Sequence, residues 1–274
     1  MPQQSTCDPT RINTDVPNMA RVYNALLGGK DNFEPDRKVV RRLAEIAPGV
    51  PQTGIEHRSW LSRVVHFLTQ MRGIDQFLDC GSGLPSCENT HEIAQRADPD
   101  ARVCYVDNDP VVEAHSKVLL EEDERTRFVH ADLTRPREVL EHPQVRRHLD
   151  LHRPLGLVQA ATMHHVHDDA EARAVMAEYV EALPSGSYVV VSHLFTPNDG
   201  GEIDRLCQHL HDVLDSTPGR VRYRTRQELD ALLVGTELLE PGWAHVHEWW
   251  PGGPRLAPVP DTNYVIVGAV ARKP

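Results

Sequence analysis

Along the first quarter of the chain apolar residues recur at helical spacing; beyond about residue 74 they gather into short runs separated by amphipathic stretches. Met19, Val22 and Leu26 form the first stripe. It predicts a helix that starts near Pro17, is capped by Asp15 and stops at Gly28-Gly29, where glycine suits a left-handed terminus. Val39, Leu43 and Ile46 mark a second helix over about 35–47, ended by Pro48-Gly49. A capping box, Thr53 with Glu56, opens a third, whose stripe runs through Trp60-Leu61, Val64-Val65, Leu68 and Met71 to Gly73. Residues 1–14 are polar and expected to fray.

Strand-like runs then appear at 76–80, 102–106, 127–131, 155–161, 187–194, 237–246 and 264–270. Helical stretches lie between most of them, at about 87–97, 110–122, 136–148, 168–183, 200–215 and 226–234. The last carries a capping box, Thr225 with Glu228. Such alternation implies a parallel sheet with right-handed crossovers and helices on both faces. No helix separates the final two runs, which predicts an antiparallel hairpin with the Pro/Gly-rich 249–260 loop at its tip. A dinucleotide dehydrogenase would continue with a sixth strand–helix unit instead. The pattern is that of an α/β protein with the Rossmann-like, seven-stranded sheet of class I methyltransferases. Residues 1–72 would form an N-terminal helical cap or lid, and 73–274 the core.

Composition narrows the partners. Of 274 residues, 40% are hydrophobic and 25% charged, an ordinary globular balance. No apolar run approaches the roughly 20 residues of a membrane helix, so no membrane partner is expected. The start, Met1 to Thr6, lacks the basic and apolar regions of a signal peptide, and the cytoplasm is the expected location. Cys7, Cys80, Cys87, Cys104 and Cys207 are odd in number and contain no C-x-x-C pair, which argues against a disulfide framework or zinc knuckle. Cys80 and Cys104 lie in strand-like runs and read as small buried hydrophobes. With 29 basic against 40 acidic residues the net charge is −11. The densest basic clusters, Arg37-Lys38 with Arg41-Arg42 and the 220–226 segment, are interleaved with acids. A nucleic-acid partner is therefore not expected; a small molecule is.

The candidate chemistry begins where Phe77-Leu78 runs into Asp79-Cys80-Gly81-Ser82-Gly83. Gly81 and Gly83 allow the backbone to pass close to a ligand at positive φ, and Asp79 is placed to meet a cationic amino group. A nicotinamide fingerprint would need glycine or alanine where Ser86 stands, and Pro85 interrupts the approach. These residues favour a ligand without phosphate, S-adenosyl-L-methionine. Asp107 lies 24 residues after Gly83, where a carboxylate can grip both ribose hydroxyls, with Asn108 adding a polar contact. Asp132, in His130-Ala131-Asp132-Leu133, is placed to accept from an adenine amino group while Leu133 packs the ring. Asn89, just inside the first crossover helix, is a contact for the ligand's amino-acid end.

The fourth strand runs into Ala160-Ala161-Thr162-Met163-His164-His165-Val166-His167, facing the reacting centre of such a fold. Thr162 is assigned to the cofactor and His164 to the pocket as wall, orienting group or base, its ordinary pKa suiting proton transfer near neutrality. No metal is expected, because H-H-x-H at a strand end does not put three imidazoles on one face. No G-x-S-x-G elbow, P-loop or H-E-x-x-H occurs. Methyl transfer needs alignment and exclusion of water rather than a protein nucleophile.

Beyond these motifs, the chain resembles a family of bacterial S-adenosylmethionine-dependent methyltransferases formerly classed as a domain of unknown function. The likeness rests on ARVYNALLGGKDNF at 20–33, FLDCGSGLP at 77–85, NTHE at 89–92, 103–110, HADL at 130–133 and GSYVVVSH at 186–193. It implies a class I core with a helical cap. It also implies that Arg21, Tyr23 and the Gly28-Gly29-Lys30 turn lie over the cofactor pocket. The chain departs from the family pattern at Cys80, where isoleucine is usual, and at His57, where asparagine precedes Arg58; Arg58 and its neighbour remain alternative ligand contacts. The expected function is methyl transfer to oxygen or nitrogen of a small-molecule acceptor. A non-catalytic S-adenosylmethionine-binding regulator and an NAD-linked oxidoreductase are the alternatives, separable by turnover and by the choice of cofactor. Neither acceptor identity nor oligomeric state is written in these motifs.

Overall fold

The computed structural model of the protein describes residues 13–85, 88–119, 124–250, 253 and 258–274. Ser86, Cys7, Cys87, most of the polar N-terminal stretch, the end of the 110–122 helix and much of the 249–260 loop lie outside the described residues.

Strands β1 (Gln76–Cys80), β2 (Arg102–Asp107), β3 (Thr126–His130), β4 (Gly156–Ala160) and β5 (Tyr188–Leu194) are parallel. β8 (Ile266–Arg272) runs antiparallel to β5, and β6 (Glu237–Leu238) and β7 (Ala244–His245) pair antiparallel with β8. The order is β3-β2-β1-β4-β5-β8-β6, with β7 also on β8. Strand order reverses between β1 and β4, and a ligand crevice belongs at the C-terminal ends of the strands beside such a switch point. The run predicted over 237–246 is thus two short strands. Pro241 has no N–H for the ladder, and Gly242, at φ +78°, turns the chain with its N–H on Leu239 O at 2.6 Å.

Helices α1 (Met19–Leu26), α2 (Glu34–Ile46) and α3 (Val50–Arg72) precede the sheet. The others are α4 (Thr90–Ala97), α5 (Pro110–Leu119), α6 (Pro136–Leu140), α7 (Pro143–His148), α8 (Asp169–Ala182), α9 (Glu202–Asp215) and α10 (Arg226–Asp230). The stretch predicted as one helix over 136–148 is split, since Pro143 starts a new helix and holds His142 at ψ 130°. Asn18, not Asp15, caps α1, its side chain accepting from Arg21 N at 3.1 Å. Nor is Thr53 a cap: α3 begins at Val50, and the Thr53 hydroxyl lies 2.7 Å from Thr262 Oγ1 and 2.8 Å from Asn263 Oδ1.

The strands are apolar on both faces because both are covered. One face packs Leu78, Cys80, Cys104 and Val106 against α6, α7, α8 and α10. The other packs Phe77, Val103 and Tyr105 against Trp60, Leu61, Val64, Val65 and Leu68 of α3. Met71, expected in that stripe, is 70% exposed, one turn past the edge of the sheet layer. Val22 of α1 with Val39 and Leu43 of α2 rests instead on Cys207, Leu210 and Val213 of α9. Thus α3 shares the core of the sheet, whereas α1 and α2 sit on α9.

Candidate active site at the switch point

At the end of β1 the chain turns through Gly81 (φ +77°) and Gly83 (φ +63°), conformations that strain any residue with a Cβ. Gly81 N bonds Val106 O at 2.7 Å, fastening the turn to β2. Asp107 completes the link: Oδ2 accepts from Gly83 N and Oδ1 from Asp109 N, each at 2.9 Å. Burial raises the Asp107 pKa, opposed by these backbone donors. Asp79, 6% exposed, accepts from the Thr90 hydroxyl at 2.6 Å. Burial lifts its pKa to about 6, against the pull of Thr90 and Arg58, and the nearby Asp107 charge adds to the rise.

A Cβ on Gly81 would stand 2.3 Å from Thr162 Cγ2 and 3.1 Å from Leu133 Cδ2. The ends of β1, β3 and β4 therefore converge on this glycine. Asp132 is half-buried and accepts from the Thr134 N–H at 2.9 Å and its hydroxyl at 2.8 Å. Asn108 is exposed beside Asp107.

Beyond β4, Ala161 takes φ +57°, and the Thr162 hydroxyl donates to Gln159 Oε1 at 2.8 Å. His164 is 7% exposed with its Nδ1 unpaired, and burial among other histidines and Arg224 holds its pKa well below the ordinary value. The expected near-neutral base is therefore an uncharged imidazole with little appetite for a proton. His165 and His167 are exposed while His164 is buried. Among the described residues no group of three or more His, Cys, Asp or Glu is placed to hold a metal ion.

Arg224 clamps this turn. Its Nη1 donates to Met163 O at 2.9 Å and to His193 Nε2 at 2.8 Å, its Nη2 to Val166 O at 2.7 Å, and its Nε to Asp169 at 3.0 Å. Since arginine only donates, the His193 proton must sit on Nδ1, which donates to Leu194 O at 2.7 Å.

The residues implied by resemblance divide. Arg21, 1% exposed, pairs with Asp36 at 2.9 Å and donates to the carbonyls of Asn13 and Val16. It fastens the N-terminal segment, its guanidinium turned to Asp36 and two carbonyls. Lys30 is exposed on the Gly28–Lys30 turn. Asn89 caps α4 in a reciprocal box with Glu92; the next residue, Thr90, is the one that reaches Asp79. Tyr23 is half-buried and its hydroxyl lies 2.7 Å from His57 Nδ1. Asn18 bonds Asp109 through its side chain, which brings the start of α1 to the end of β2. Sequence reasoning missed Thr90, Ser192 and Arg224, and recorded His57 only as a departure.

The buried Asp79 carries a pH signature. With an ordinary value of 3.8 and a folded value of about 6, its contribution to stability is full below pH 3.8 and lost as pH rises through 6. The loss amounts to about 3 kcal/mol at 1.36 kcal/mol per unit. Urea unfolding of the unliganded protein should show a stability difference between wild type and Asp79→Asn that changes by about 2.4 kcal/mol of this between pH 4 and 7. Parallel pH profiles would refute it.

Comparison with known proteins adds the chemistry. A family model described as S-adenosyl methyltransferase matches residues 5–274. A candidate methyltransferase from Thermobifida fusca YX is 37% identical with a TM-score of 0.89, covering 98% of this chain and 99% of that one. A duf574 family protein from Streptomyces avermitilis MA-4680 is 36% identical with a TM-score of 0.89, covering 96% and 100%. The N-methyltransferase NodS from Bradyrhizobium japonicum WM9, in complex with S-adenosyl-L-homocysteine, shares the fold at 14% identity and a TM-score of 0.51, over 93% and 99%. No curated protein matches significantly.

Proposed function

Because this chain belongs to the S-adenosyl methyltransferase family, we propose that it methylates an oxygen or nitrogen of a small-molecule acceptor at the β1/β4 switch point. Its cofactor is S-adenosylmethionine, which sets aside the nicotinamide reading. When bound, that group supplies an activated methyl on a sulfonium.

The carrying observation is the acid–glycine cluster, in which the buried Asp79 lies near enough to the half-buried Asp107 for the second charge to add to the cost of ionising the first, while Asp107 fastens the Gly83 turn. Desolvating a carboxylate is expensive, and Arg58 offsets only part of that cost at Asp79; a ligand with an ammonium and a ribose diol suits this pair of acids. In this reading Asp79 holds the amino group, Asp107 the ribose, and Asp132 with Leu133 the adenine. Gly81 and Gly83 let the backbone approach, and Thr162 closes the wall. Asn89, Asn108 and Lys30 stand at the margin. A small acceptor is in keeping with the burial of Thr162, Met163 and His164 at the end of β4. His164 serves there as a neutral wall, so an acceptor that must lose a proton loses it by another route.

In this reading helices α1–α3 form the cover over residues 73–274, α3 as its base in the sheet core, supported by the Asn18–Asp109 and His57–Ser192 contacts. Among the described residues no helix is long and apolar enough to cross a membrane, in keeping with a cytoplasmic, bacterial enzyme; both relatives above 30% identity come from bacteria.

Asp107→Ala should weaken S-adenosylhomocysteine binding by about 1.5–3 kcal/mol, the scale of lost charge-assisted hydrogen bonds. Unchanged affinity by calorimetry would remove Asp107 from the site. Formation of S-adenosylhomocysteine with a panel of phenols, carboxylic acids and amines would identify the acceptor class; tight cofactor binding with no turnover across such panels would favour the regulator instead.

A further inference from the structure

Between the cover and the reacting end of β4 runs a buried line of hydrogen bonds. The Tyr23 hydroxyl on α1 lies 2.7 Å from His57 Nδ1 on α3, and His57 Nε2 lies 2.7 Å from Ser192 Oγ on β5. Ser192 Oγ in turn accepts from Ala161 N at 2.9 Å. His57 is stacked on Trp60, ring centroids 5.8 Å apart, so it cannot swing away. A neutral imidazole has one donor and one acceptor, and a hydroxyl offers both, so both links form in either tautomer: with the proton on Nδ1, His57 donates to Tyr23 and accepts from Ser192; with it on Nε2, the directions reverse.

The far end of the line is strained. Ala161 sits at φ +57°, a conformation that alanine adopts only when its surroundings over-determine it. The Ala161 N–H is shared by two acceptors of the fully buried Ser192, its hydroxyl oxygen at 2.9 Å and its backbone carbonyl at 3.2 Å, the hydroxyl being the shorter contact. One residue on, the Thr162 methyl packs against Gly81, so closely that no Cβ fits between them. An unbroken series of contacts thus joins α1 through His57, Ser192, Ala161 and Thr162 to the glycine turn.

We infer that Tyr23, His57 and Ser192 are positioning residues that hold the Ala161–Thr162 turn against Gly81, making the cofactor site's geometry depend on the seated cover helix. Tyr23 then acts through its partners rather than by touching the cofactor. Burial pushes the His57 pKa down to about 3 and the Tyr23 pKa up to about 12, which favours the neutral form of both groups.

The inference rests on the cofactor site proposed above, and Asp107→Ala separates the two. Calorimetry with S-adenosylhomocysteine should show Ser192→Ala binding about tenfold and Tyr23→Phe about threefold more weakly, the scale of one lost buried hydrogen bond. Ser192→Thr, which keeps the hydroxyl, should fall within about twofold of wild type. A merely structural role would track thermal stability and would not be restored by the hydroxyl. If Ser192→Ala and Tyr23→Phe bind as wild type while Asp107→Ala is weakened, the positioning role is overturned and the site stands. The same follows if Ser192→Thr binds as poorly as Ser192→Ala. If Asp107→Ala also binds as wild type, the cofactor site itself is misplaced and the inference falls with it.

Discussion

Arg224→Ala is expected to cost about 3–5 kcal/mol of folding stability, the range seen when one member of a buried charged network is removed. The guanidinium is 1% exposed and bonds Met163 O, Val166 O, His193 Nε2 and Asp169. Truncation strands two carbonyls and an imidazole nitrogen in the interior, each worth about 1–3 kcal/mol if it finds no water. It also leaves a space the size of a long side chain. Lysine offers one point charge where a planar fork reaches four partners, so Arg224→Lys should recover only part of the loss. Urea denaturation measures both. A midpoint within error of wild type for Arg224→Ala would show that the turn after β4 holds itself.

Gly81→Ala should be nearly as harmful, at about 2–4 kcal/mol, from positive-φ strain added to overpacking. At φ +77° a methyl group is unwelcome even in open space, and here it would stand 2.3 Å from Thr162 Cγ2. Gly83 is the internal control: it has φ +63° but nothing within 4 Å of its missing Cβ. Gly83→Ala should therefore lose only the strain, roughly 1 kcal/mol. Equal losses at the two glycines would mean that the Thr162 contact is looser than the structure shows.

Much of this architecture was legible in the chain. The mainly apolar runs and the helical stripes between them gave five parallel strands and their crossovers, because a strand covered on both faces keeps few polar positions, among them Asp79 and Ser192 toward the C-terminal ends of β1 and β5. The missing helix before the last run correctly announced an antiparallel edge. Errors fell at boundaries where local chemistry competes. Asp15 and Asn18 are both good caps, and only the Arg21 N–H decides for Asn18. Thr53 and Glu56 have capping-box spacing, but helix continued upstream to Val50, and the threonine turned to Thr262 instead.

The strand ends that carry the acids and glycines proposed for the site could be read because their spacing is set by strand–helix units of regular length. The supporting side chains could not. His57 and Ser192 are 135 residues apart, and Arg224 reaches Met163 across 61. Nothing local distinguishes a histidine bound for a hydroxyl relay from one on a surface.

The linear chain by itself determined which segments are strands and helices, which turns need glycine, and where negative charge meets the rim, since these follow from period, backbone freedom and residue type. Folding alone decided which of those groups are buried and who partners whom. Protonation and reach come from desolvation and from contacts across the sheet: they make Asp79 a weak acid, His164 a poor base and Arg21 a structural anchor.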